Sequence, residues 1–193
     1  MKNAGRKWQR NRGFTLMELM VVISLIAILA GMVMAAMPAV LNQIKRKQVK
    51  LTMKELEAGL SSYKLDNGMY PVNEPVNPQN AILGGSVLYK YLSGDFDEDG
   101  FLDDEKDNRK IYMEGIDYNT AKNQPQQRVG TTGNGKYALV DPFGNLIRYL
   151  CEPPGKKNKQ TRNPTYDLWS LGGADAESNA TEDLSRWITN WGE

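Results

Sequence analysis

Glu18 stands at the head of a long apolar run. From Leu19 to Leu41 there are 23 residues and none carries a charge. A carboxylate inside the apolar end of a membrane helix costs roughly 2.5–3.5 kcal/mol, so Glu18 calls for a partner. No cation lies within a turn on its apolar side. A cut between Gly13 and Phe14 would create an α-amino group four residues before Glu18. One subunit's amine could then meet a neighbour's Glu18 in a low-dielectric setting and neutralise both charges. Extraction from a membrane would thereby be coupled to assembly.

The remaining chemistry is carried by carboxylates. Asp95, Asp97, Asp99 and Asp103 occupy positions 1, 3, 5 and 9 of a run with Gly100 at position 6, the spacing of an EF-hand type calcium loop. Position 12 is Lys106, so Asp104 or Glu105 would have to supply the final acid. This run is either a calcium loop or a solvated acidic insertion. Further on, Gly172 and Gly173 precede Asp175, Glu177, Glu182 and Asp183. Two glycines let backbone carbonyls turn inward. Hard oxygen ligands at Asp175 and Asp183 could then close a calcium site with main-chain oxygens; the alternative is an acidic surface turn.

Other chemistries lack their residues. Histidine is absent from the 193 residues, which removes the commonest acid–base group and transition-metal ligand. Cys151 is alone, so no intrachain disulfide forms. A free thiol in an oxidising compartment points to a buried side chain rather than a reactive one. There is no nucleophile–base pair and no phosphate loop, and a hydrolase would rest on carboxylates or lysine alone. The formal charge is +1; losing the five cations that precede Gly13 leaves −4 on the side chains, which does not suggest a nucleic-acid binder.

These residues need elements to hold them. The uncharged run is about 34 Å long as a helix, enough for a hydrocarbon core of about 30 Å. Lys2, Arg6, Lys7, Arg10 and Arg12 precede it, which keeps that flank cytoplasmic and places the following chain outside. An ordinary signal anchor with an incidental glutamate is the plain alternative. Ile44, Val49, Leu51, Met53, Leu56, Leu60, Tyr63 and Leu65 continue as an amphipathic helix whose apolar stripe packs on a sheet. Pro38 marks a tolerated kink. The basic cluster at 45–50 either touches lipid headgroups or is a solvated face. Asp66-Asn67-Gly68 stops the helix. Residues 72–85 read as a loop, Ser86–Leu92 as a short helix and 117–136 as an exposed loop. Tyr137–Val140 and Leu146–Leu150 form strands joined by the turn Asp141-Pro142-Phe143-Gly144-Asn145, with a third strand at Tyr166–Leu171. Three antiparallel strands against the amphipathic helix make an α+β fold.

The segment RGFTLMELMVVISLIAILAGMVMAAMP resembles the leader and N-terminal helix of type IV pilins and type II secretion pseudopilins. Cleavage site, fifth-position glutamate and apolar helix fall in one register. Pro38 lies about one turn later than in most of those proteins. YKLDNGMYP (Tyr63–Pro71) resembles the end of the long helix in the major pseudopilins of type II secretion. DPFGNLIRY resembles their Asp-Pro-Trp-Gly-Asn-Pro-x-x-Tyr, with Phe143 for Trp and Leu146 for Pro. YDLWSLGGAD and the closing Asn190-Trp191 have counterparts too, and the two aromatics near the terminus, Trp187 and Trp191, are expected to fold back onto the sheet. Many type IV pilins carry a C-terminal disulfide that this chain cannot form, which favours a pseudopilin.

The resemblance implies a type IV pilin-like fold with residues 1–13 as a leader, 14–41 as the transmembrane helix and 42–193 as a periplasmic domain. That domain would carry an insertion at about 94–136. It implies a prepilin peptidase that cuts after Gly13 and methylates Phe14. Glu18 would register each incoming subunit. Calcium would bind at Asp175 and Asp183 with oxygens from Leu171 and Ser170. The implied partners are further copies of the chain in a filament, minor pseudopilins, the prepilin peptidase, an inner-membrane assembly platform and lipid. The site of action is the inner membrane, with the N-terminus cytoplasmic. Two other readings stay open: a type IV pilin in an adhesive, motile or DNA-uptake filament, and a surface-associated binding protein that uses the acidic run 94–106.

Overall fold

The computed structural model describes residues 13–73, 84–98, 100–102, 110–121, 128–132, 135–156, 159–173 and 184–191. The chain divides after Leu41 into two compact units. In chain order the elements are α1 (Leu16–Asn67), α2 (Gly84–Leu92), α3 (Tyr118–Ala121), β1 (Val129–Thr131), β2 (Tyr137–Leu139), β3 (Arg148–Cys151), β4 (Tyr166–Ser170), a 3-10 turn at Leu184–Arg186 and β5 (Ile188–Thr189). The fold is α+β and pilin-like: a long N-terminal helix with small antiparallel sheets.

In the first unit, α1 is long and apolar enough to cross a membrane by length and composition. The Ser24 hydroxyl donates to Met20 O at 2.8 Å and Val21 O at 2.9 Å, so the polar group in the uncharged run is satisfied inside the helix. Pro38 lies within α1 and does not end it.

In the second unit, α1 buries Val49, Met53, Leu56, Gly59 and Leu60. Val49, Met53, Leu56 and Leu60 step by four, three and four residues and Gly59 lies three after Leu56, which keeps them on one stripe. Each large apolar side chain so covered contributes roughly 1.5–3 kcal/mol. Ile44, Leu51 and Leu65, expected in that stripe, are exposed. Leu51 follows Val49 by two residues, about 200° round the helix. Ile44 and Leu65 are each five residues from a buried neighbour, about 140° away. The helix stops where Asn67 and Gly68 predict: Gly68 has φ 77° and donates its N–H to Lys64 O at 2.8 Å.

α2 starts at Gly84, two residues before the expected Ser86. A Cβ on Gly84 would run into the backbone of Tyr149, and one on Gly85 would lie 2.8 Å from Ile147 O. The two glycines therefore seat the helix directly on strand backbone. Leu88, Tyr89 and Leu92 follow and are fully buried.

The strands differ from expectation in their partners. β2 pairs antiparallel with β1, Val129 opposite Leu139, and β1 lies inside the segment read as an exposed loop. That segment also supplies α3, and its Ala121 and Val129 enter the core. The second sheet runs β3-β4-β5, with Tyr149 opposite Leu168 and Ser170 opposite Ile188. The expected hairpin between the first two strands is reduced to a bridge, Val140 to Leu146, with hydrogen bonds from Ile147 N to Leu139 O at 2.9 Å and from Asp141 N to Asn145 O at 2.8 Å. β4 ends at Ser170, one residue short of the expected Leu171.

Candidate functional site

Gly13 precedes α1, and Phe14 is 81% exposed. Thr15 caps the helix. Its hydroxyl accepts the Glu18 N–H at 3.2 Å, while its own N–H and hydroxyl donate to Glu18 Oε2 at 2.8 and 2.9 Å. This is a reciprocal capping box, Thr at the cap and Glu three residues on. The signature Thr-x-x-Glu before an apolar run is visible in the sequence, yet the charge argument alone did not find Thr15. Both recorded bonds use Oε2, so Oε1 of Glu18 accepts no hydrogen bond among the described residues. The carboxylate is thus oriented by its own helix and still has an oxygen for a second donor.

The acidic run is split by burial. Asp95 is fully buried, and its Oδ2 accepts the Tyr89 hydroxyl at 2.6 Å and the Gly100 N–H at 2.8 Å. Burial first, and then that bond to Asp95, push the Tyr89 hydroxyl far above its ordinary range. Glu98 has φ 64° and pairs with Lys90 at 3.5 Å and Lys136 at 3.3 Å. Asp97 is exposed; Asp99 and Asp103 lie outside the described residues. Asp95 therefore ties the run into the core beneath α2, whatever the run binds.

At the C-terminal loop, Ser170 and Leu171 are described, and Asp175 and Asp183 lie outside the described residues. The buried Ser170 hydroxyl donates to Asp141 Oδ2 at 2.6 Å and accepts the Gly172 N–H at 3.0 Å. Asp141 Oδ1 in turn accepts the N–H groups of Phe143 and Asn145, both at 2.9 Å. With its hydroxyl so engaged, Ser170 has only its carbonyl to offer a metal. Among the described residues no three acids, cysteines or histidines are grouped to hold an ion. A calcium fit thus rests on the hard-oxygen chemistry of Asp175 and Asp183 with backbone carbonyls. Arg46 on α1 holds the base of this loop: one guanidinium nitrogen donates to Gly172 O at 2.9 Å and Arg186 O at 2.8 Å.

The chain end folds back as the sequence suggests. Asn190 donates its N–H to Leu168 O at 3.0 Å, and its Oδ1 accepts the Leu168 N–H at 2.9 Å. Trp187 and Trp191 pack against Trp169. Cys151 is buried, and burial pushes its thiol up, so it is an inert core residue.

The sequence profile of the prokaryotic N-terminal methylation motif matches residues 8–34. Type II secretion system core protein G of Aeromonas hydrophila is 38% identical over 180 residues, 93% of this chain and 94% of that protein. The protein of the same name from Vibrio cholerae is 32% identical over 193 residues, 94% of this chain and 95% of its own. The Pseudomonas aeruginosa one is 29% identical over 188 residues, 95% and 96%. No solved structure matches the chain.

Proposed function

The chain belongs to the type II secretion system core protein G family, and we propose that it is the repeating structural subunit of a pseudopilus. The observation that carries the reading is the head of α1. An exposed Phe14, a capped first turn and a carboxylate with one oxygen to spare stand directly before an uncharged membrane-length helix.

In this reading a prepilin peptidase cuts after Gly13 and methylates Phe14. The helix holds the subunit in the inner membrane with its N-terminus cytoplasmic and residues 42–193 periplasmic. The Phe14 amine of one subunit meets Glu18 Oε1 of another, while Thr15 keeps that carboxylate aimed. The pair removes two charges from the apolar phase, which favours transfer of the subunit from lipid into a filament. The subunit is a mechanical part rather than an enzyme. Minor pseudopilins and an inner-membrane assembly platform are its further partners. Asp175 and Asp183 would hold calcium with carbonyl oxygens of Ser170 and Leu171, and the loop would be stiffer in that state.

The test is assembly of Glu18→Ala in cells. The variant is expected to be membrane-inserted, cut after Gly13 and folded, yet absent from filaments recovered by shearing. Filaments of normal yield from Glu18→Ala would sink the proposal. Loss of surface fibres with normal secretion in cells lacking the protein would favour the pilin reading instead.

A further inference from the structure

Five cations stand on α1 directly after the uncharged run: Lys45, Arg46, Lys47, Lys50 and Lys54. No acid occurs between Glu18 and Glu55. The domain turns two of the five back on itself. Lys45 lies over the Phe143 ring at 5.3 Å, and Arg46 holds the carbonyls of Gly172 and Arg186. Lys47, Lys50 and Lys54 are exposed and have neither hydrogen bond nor ion pair among the described residues. The first acid after them, Glu55, is already paired with Arg128 at 2.8 Å.

Ile44, Lys47, Leu51 and Lys54 step by three, four and three residues, so they share one face of the helix. That face looks away from the buried stripe of Val49, Met53 and Leu56, and Lys50 borders it. Ile44 and Leu51 are exposed. Cations interleaved with uncovered aliphatic side chains suit the boundary between water and lipid, where the stems cover apolar surface and the ammonium groups reach phosphate. Lys47 and Lys50 follow Leu41 by six and nine residues, about 9 and 14 Å of helix. A headgroup layer is roughly 5–8 Å deep, and an anionic surface attracts cations over a further Debye length of about 8 Å. Lys54 stands about 20 Å out, beyond that reach. From Glu55 onward the chain has 14 cations against 22 acids. An anionic surface therefore repels the rest of the domain and attracts it here.

We propose that Lys47 and Lys50, flanked by Ile44 and Leu51, bind the phosphate groups of anionic phospholipids at the surface where the apolar run ends. The inference rests on the membrane-held subunit read above and names the lipid class that surrounds it. Three properties select lipid as the occupant: the free positive charge, the apolar side chains between the cations, and continuity with a membrane-length helix.

The experiment places the full, processed chain in nanodiscs of phosphatidylcholine, with or without phosphatidylglycerol, and reads lysine acetylation by mass spectrometry. Phosphatidylglycerol should cut labelling of Lys47 and Lys50 about fivefold, less at Lys54 and not at all at Lys64, and high salt should narrow the difference. Native mass spectrometry of the chain in detergent gives the second readout. The parent should retain phosphatidylglycerol over phosphatidylcholine, and Lys47→Gln and Lys50→Gln should each reduce that preference about fivefold, with unchanged melting temperatures. Equal labelling in the two bilayers overturns the proposal and leaves a protein carboxylate as the partner. A lipid preference that survives the double substitution overturns it too, as does equal shielding by free glycerol phosphate. Filament yield in cells separates this site from the function above. Lipid preference in a chain that forms no filaments would defeat that function and leave the site standing. Filaments from a chain without lipid preference would do the reverse.

Discussion

Glu152 illustrates how much a single covered carboxylate does here. Its side chain is 1% exposed, yet it stays charged. Burial pushes its carboxyl up, but the Lys156 ammonium at 2.7 Å and the N–H groups of Thr161 and Gln160 outweigh that and hold it below its ordinary value of 4.5. A depressed carboxyl adds stability above its ordinary value and loses it as pH falls through the folded one. The chain should therefore lose stability on acidification below about pH 4.5, and Glu152→Gln should flatten that fall. At neutral pH the same change should cost roughly 1.5–3 kcal/mol, read as a lower melting temperature. Lys156, Gln160 and Thr161 all bind this carboxylate, so the loss should be accompanied by faster proteolysis near them. In the sequence Glu152 is one acid among 23 in the chain, and nothing local marks it. Its role depends on N–H groups eight and nine residues away. Glu18, by contrast, is legible at once, because an uncharged run leaves it alone.

At the scale of elements, α2 is the part most sensitive to small changes. Gly84 sits where a methyl group would strike the Tyr149 backbone, and backbone cannot move aside as a side chain can. Gly84→Ala should destabilise by about 1–3 kcal/mol or more. Ser86, two residues on, has a covered hydroxyl without a partner among the described residues, so Ser86→Ala should be neutral or stabilising. Thermal melts of the two variants check both signs. α1, α2 and the 141–145 turn were readable because their signals are local: a 3–4 stripe, Asn-Gly at a helix end, Asp-Pro and Gly-Asn in a turn. β1 and β5 were not. Val129-Gly130-Thr131 is too short to show alternation, and Ile188-Thr189 is shorter still. Such strands exist because a neighbour supplies their hydrogen bonds, which is information from elsewhere in the chain.

Taken whole, the molecule fastens its C-terminal half in two ways. Arg46 clamps both ends of the last loop to α1, and Asn190 latches the terminus to β4. A ligand binding between those fastenings would add its binding energy to the fold. A ligand at 100 times its dissociation constant contributes about 2.7 kcal/mol, or roughly 5–10 °C for a chain of this size. Calcium should raise the melting temperature of the full chain in detergent by about that much relative to chelator. Asp175→Ala should abolish the shift and Asp97→Ala should leave it. The opposite pattern would move the metal to the acidic run, and no shift would remove it. The architecture and the head of α1 were thus open to a reader of residues. The wiring of the loops was not, because Arg46 and Gly172 are 126 positions apart.

The capping box carries a consequence for maturation. The helix start is fixed by Thr15 and Glu18, both downstream of the bond between Gly13 and Phe14. Removing the leader would therefore leave the first turn intact. Under the proposed cut, processing would be conformationally silent and would act as a change of charge at one end: five cations would depart with the leader, and a single α-amino group would take their place.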